Sequence, residues 1–242
     1  MKLLGKVFIL TLLGLSISCS TPPPKKLYPD VSMTRVPTKA LAKKPKKTHA
    51  NSSLKRLEQL YGKRAAQRVK NWQYLINDYQ RKSELEKLKI TNTYINQLRF
   101  VDDRLHWGKK DYWATPVETL ASNGGDCEDF AIAKYYTLSK LGMSEQCLSL
   151  SYVRVRGYNK PHMVLVYQCF EEDSAIILDN LEPRLLSQRE RRDLTPIYSF
   201  NAKDMWIMKA SGEKRKLNSQ SRMRLWNDLK RRVARQEIKR RI

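Results

Sequence analysis

A chain of 242 residues with 41% hydrophobic residues and a formal net charge of +23 is long enough for one medium domain with a real core, and its composition is not that of a disordered protein. So large a positive charge ordinarily points to nucleic acid, but the opening residues point away from it: Lys2 and Lys6 precede an apolar run, Val7 to Leu15, and small residues at Ser16, Ser18 and Cys19, the layout of a secretory signal. The run is too short for a membrane span, so export is expected. The basic excess is then a solvated surface, or an attraction to anionic lipid headgroups or an acidic protein.

In chain order, residues 1–19 are the expected signal peptide. Leu15-Ser16-Ile17-Ser18-Cys19 approaches a lipoprotein cleavage box with its apolar residue one place off, so plain cleavage is expected and a lipid-anchored Cys19 is the alternative. Residues 20–50, with Pro22-Pro23-Pro24, Pro29, Pro37, Pro45 and many lysines, form a basic linker that buries little. A domain is expected over 51–212. Ser52 as N-cap opens a helix with Leu54, Leu57, Leu60 and Tyr61 on one face, continued by Val69, Trp72, Leu75 and Ile76. A second helical run, Ser83 to about Arg99, leads into a loop over Asp102 to Gly108.

The second half changes character. A helix from about Cys127 to Leu141, closed by Gly142, precedes strands at Cys147 to Arg156, His162 to Phe170, Ala175 to Asp179 and Met205 to Met208. Tight connections such as Gly157-Tyr158-Asn159-Lys160 imply antiparallel hairpins, hence an α+β fold with one helix on an antiparallel sheet. The basic tail, 213–242, places Met223, Trp226, Leu229 and Val233 on one face of an amphipathic helix that packs on the domain, a membrane-surface helix being the alternative.

Of the four cysteines, Cys19 belongs to the signal and Cys127 sits in a motif that wants a free thiol. Cys147 and Cys169 remain as a pair at strand ends, with the reading leaning against a bond.

Gly124-Gly125-Asp126-Cys127-Glu128-Asp129-Phe130 sets a cysteine where a glycine turn enters a helix, whose N-terminus favours a thiolate. His162 opens one strand and Asp179 closes the next. Antiparallel pairing brings imidazole and carboxylate to one sheet edge, giving nucleophile, base and orienter in the order Cys127, His162, Asp179. Asp126, Glu128 and Asp129 crowd the thiol, and their charge would raise its pKa, so something positive must neutralise them. Calcium and salt bridges to basic side chains both satisfy that need.

Asp102-Asp103, Trp107-Gly108, Asp111-Tyr112-Trp113, Pro116-Val117-Glu118-Thr119-Leu120, Gly125 to Ala131, His162-Met163-Val164-Leu165 and Leu178-Asp179-Asn180 together resemble the bacterial transglutaminase-like cysteine proteases of the LapG type, from about Phe100 to Asn180. The resemblance implies a papain-like/transglutaminase-like fold with a helical N-terminal lobe, and catalysis by Cys127, His162 and Asp179. It also implies Ca2+ held by Asp126 and Glu128. A periplasmic endopeptidase of this type cuts a large surface adhesin near its N-terminus, releases it from the outer membrane and so controls biofilm attachment. Its inhibitor is a LapD-type inner-membrane receptor for cyclic di-GMP. Two other readings fit the same residues: a transglutaminase-like acyltransferase, and a non-enzymatic basic periplasmic binding protein.

Overall fold

The computed structural model describes residues 50–170, 174–201, 205–208, 214–216 and 223–238. The expected signal segment and the linker up to residue 49 lie outside them. Helix α1 (Ala50–Tyr61) and α2 (Lys63–Tyr79) meet at Gly62, whose φ of +86° a side chain would resist. Ser52 falls inside α1 instead of capping it. Ala65, Val69, Trp72 and Leu75 give α2 a buried stripe at helical spacing, and Trp72 Nε1 donates to Thr137 Oγ1 at 2.9 Å.

Ser83 and Glu86 form a capping box at the head of α3 (Glu84–Ile95). That helix stops short of the expected Arg99 because Arg99–Phe100 (β1) pair in parallel with Gly124–Gly125 (β2). Between them lie α4 (Asp103–His106) and α5 (Pro116–Ser122), the latter opened by a Thr115–Glu118 capping box. Helix α6 (Cys127–Lys140) is buried on almost every side and ends at Leu141 and Gly142, close to its predicted limits.

A seven-stranded antiparallel sheet follows in the order β6-β5-β4-β3-β7-β8-β9. Its strands are β3 (Leu148–Val155), β4 (Pro161–Tyr167), β5 (Ile176–Leu178), β6 (Leu186–Ser187), β7 (Leu194–Phe200), β8 (Met205–Met208) and β9 (Lys214–Lys216). Strand β7 carries a proline inside its run, which hides it in the sequence. It is accommodated where the β3–β7 register shifts, with Pro196 opposite Val153. Strand β9 falls within the segment expected to be only a helical tail.

Ala131, Tyr135 and Leu138 of α6 pack on Leu150, Met163 and Leu165 of the sheet. Helix α7 (Arg224–Ala234) docks into the same core through Trp226 and Leu229, both essentially inaccessible, so its apolar face is spent on the domain. On the opposite sheet face a cavity of about 410 Å³ is lined by Ser151, Val164, Ile177, Arg191 and Trp206 among others. Cys147 and Cys169 form a disulfide, Cα atoms 4.3 Å apart, against the leaning of the sequence. The β3–β4 register, with Leu148 opposite Tyr167, brings the two flanking cysteines together. The α+β, papain-like architecture with a helical N-terminal lobe is as predicted. Among the described residues, no helix is long and apolar enough to cross a membrane.

Candidate active site

Cys127 is the first residue of α6, and its Sγ accepts a hydrogen bond from the Met163 N–H of β4 at 3.3 Å. The nucleophile candidate is thus pinned between a helix N-terminus and the strand on which His162 directly precedes Met163.

The β4–β5 register pairs Leu165 with Leu178, so Asp179 follows opposite Val164, two residues from His162 along β4. There His162 Nε2 and Asp179 Oδ1 meet at 2.6 Å, both groups buried. With Nε2 held by the carboxylate, Nδ1 is the nitrogen left to exchange protons. Burial alone would push the Asp179 carboxyl up. The His162 charge and hydrogen bond, the Arg191 guanidinium and the Leu181 N–H together hold it well below the usual carboxylate range. Arg191 Nη1 reaches Asp179 Oδ2 at 2.9 Å, and Asn96 Nδ2 ties the Asp179 carbonyl at 2.8 Å. Lys134 of α6 is wholly buried. Burial lowers its ammonium pKa to about 7, opposed by the Asp179 charge.

Beside the sulfur lies a second, acidic constellation. Asp126, Glu128 and Asp129 are inaccessible, and so is Asp103 of α4, with Asp111 half-buried. Two trios, Asp103–Asp111–Glu128 and Asp103–Asp126–Asp129, each bring one oxygen per residue within 4.8 Å of one another. Burial first, then mutual repulsion, pushes Asp126, Glu128 and Asp129 well above the carboxylate range, and Asp103 to about 7. Asp103 Oδ1, Asp111 Oδ1, both Asp126 oxygens and Asp129 Oδ2 accept no hydrogen bond from the described residues. A Cβ at Gly125 would collide with the Asp129 carboxylate, so only glycine lets the backbone approach it. Orphaned, buried, all-oxygen donors fit a hard divalent cation.

The structure therefore brings Cys127, His162 and Asp179 to one place and Asp126 and Glu128 to its flank. Sequence reasoning put Asp129 in the acidic cluster beside Asp126 and Glu128 but did not place Asp103 or Asp111 there, nor Arg191 beside Asp179. The nearest signal for the first two was a loop carrying carboxylates among the buried aromatics Trp107, Tyr112 and Trp113. The two sites touch: Glu128 Oε2 lies 3.2 Å from Cys127 Sγ.

The family model of bacterial transglutaminase-like cysteine proteinases matches residues 61–208. Among solved structures, EGTA-treated LapG from Legionella pneumophila aligns at 33% identity and a TM-score of 0.66, over 76% of this chain and 97% of that one. The calcium-bound form of the same protein aligns at 34% identity and a TM-score of 0.64, over 75% and 98%. No curated protein matches. With more than half of the chain matched, it belongs to the family of bacterial transglutaminase-like cysteine proteinases.

Proposed function

We propose that this chain is a calcium-dependent periplasmic cysteine endopeptidase that uses Cys127, His162 and Asp179 to cut a large surface adhesin near its N-terminus. The observation that carries the reading is the convergence of a helix-start cysteine with a buried His162–Asp179 pair at 2.6 Å. The Cys127 thiolate attacks the scissile carbonyl carbon, and His162 gives its proton to the leaving amine. Water then adds to the thioester with His162 as base, and Asp179 holds the ring throughout. The Cys127 N–H, at the helix start, is one oxyanion donor.

Asp103, Asp111, Asp126, Glu128 and Asp129 are the residues that would hold calcium. When bound it neutralises the carboxylates beside the sulfur and braces their loops. This chain's own part is to present those oxygens dry and to keep Glu128 next to the thiol. Support for calcium comes from the all-oxygen donor set and from the calcium-bound form of the similar Legionella protein.

By the same family relationship the substrate is an adhesin retained at the outer membrane, whose release controls biofilm attachment. The inhibitory partner is a LapD-type inner-membrane receptor responding to cyclic di-GMP. The signal-like first 19 residues support a periplasmic location, free or lipid-anchored at Cys19.

The test is cleavage of N-terminal adhesin fragments from the same organism by reduced protein, in calcium and in chelator. Cleavage in calcium only, abolished in a folded Cys127→Ala variant, is expected. Cleavage by that variant removes the nucleophile assignment. Incorporation of a labelled amine without peptide cleavage turns the reading to acyl transfer.

A further inference from the structure

An aspartate side chain turns broadly about its last torsion, so a carboxylate held through one oxygen alone does not fix the ring it orients. Asp179 is held through both. Oδ1 takes His162 Nε2 at 2.6 Å and the Leu181 N–H at 3.0 Å, and Oδ2 takes Arg191 Nη1 at 2.9 Å. The side chains of Asp179 and Arg191 are 0% and 5% exposed, so their attraction is little screened.

Arg191 is fixed in turn. Its Nε and Nη2 form a fork on the two Asp193 oxygens, each at 2.9 Å, and its backbone N–H donates to the Ser187 carbonyl at 3.1 Å. Asp193 is 41% exposed, so this clamp runs from the triad to solvent.

We propose that Arg191 is a positioning residue of the catalytic machinery, which locks the Asp179 carboxylate in the orientation that holds His162. The inference rests on the triad reading above. Arg191 also supplies a permanent counter-charge. His162 gains and loses its proton in each turnover, and without Arg191 the buried Asp179 would lose its bonded cation each time the ring became neutral. Lys134 and Asp193 are the other charged groups that face Asp179, and neither stands in for a guanidinium bonded to it.

The test uses full-length, reduced protein in calcium, with the rate of Cys127 alkylation by iodoacetamide as a substrate-independent readout. Arg191→Met should lower that rate about 30-fold, and Arg191→Lys should recover it to within about five-fold. In the Asp179→Asn background the same Arg191→Met change should cost less than about three-fold, because Arg191 acts through Asp179. Asp193→Asn, which loosens the clamp from its exposed end, should lower the rate about five-fold while folding normally.

Equal losses from Arg191→Met in both backgrounds, or a folded Arg191→Met with the wild-type rate, overturn the role of Arg191. If Arg191→Met does not fold, an unchanged rate in Asp193→Asn overturns it. A wild-type rate in Asp179→Asn instead overturns the triad, and the inference with it.

Discussion

Glu128 stands between the two chemistries of the site, 3.2 Å from the sulfur and within an acidic trio. Asp103, Asp126, Glu128 and Asp129 bind their protons more tightly folded than an unfolded chain would, Asp103 at about 7. Unfolding then releases protons, so the calcium-free fold loses stability as pH rises from the ordinary carboxylate range through about 7. The EGTA-treated protein should melt at a higher temperature at pH 5.5 than at pH 7.5, and calcium should restore the loss at pH 7.5. Identical melting of both forms at both pH values would remove the cation site. At this scale Cys127, His162 and Asp179 were legible because each sits at an element boundary, where spacing predicts proximity. Arg191 was not, since its role depends on how a loop between two short strands folds back, and one arginine among 47 basic residues carries no signal.

Helix α7 shows what an element does with a mixed composition. Trp226 and Leu229 enter the core, while Arg232 points inward with them. There it meets Glu118 Oε2 at 2.9 Å and the Tyr112 hydroxyl at 3.1 Å, and donates to the Trp113 carbonyl. Arg232 thereby ties α7 to α5 and to the segment that carries Asp111. Arg232→Met would leave the Glu118 carboxylate buried without this cation, at a cost of about 3–5 kcal/mol. Urea unfolding should show that loss, and a change below about 1 kcal/mol would mean that water replaces the guanidinium. The amphipathic spacing of α7 was readable, but the inward arginine was not. A helical pattern marks polar residues as outward, and only a buried carboxylate from a distant element reverses that for Arg232.

Across the whole molecule, the helix–sheet division followed from composition and periodicity, and the pairing of β3 with β4 from the tight turn over Gly157 to Lys160. What sequence left out lies at the sheet's far side: β7, hidden by Pro196, and β9, short and basic. The strand order carries the chain outward to β9 before α7 returns to the core beside Phe200 and Tyr135. A chain ending at residue 222 keeps every strand but loses Trp226, Leu229 and Arg232. It should unfold at markedly lower denaturant and bind calcium more weakly than the full chain, as read by calorimetric titration. Equal affinity in the two chains would show that the Asp111 segment is set without α7.

That arrangement is also a schedule. Synthesis runs from the first residue to the last, so Cys127, the acidic cluster and the His162–Asp179 pair all leave the ribosome before Arg232 exists. Until it arrives, Glu118 lacks its ion pair and the Trp113 carbonyl its donor. Completion of the Glu118 and Trp113 contacts thus waits on the last helix of the described residues.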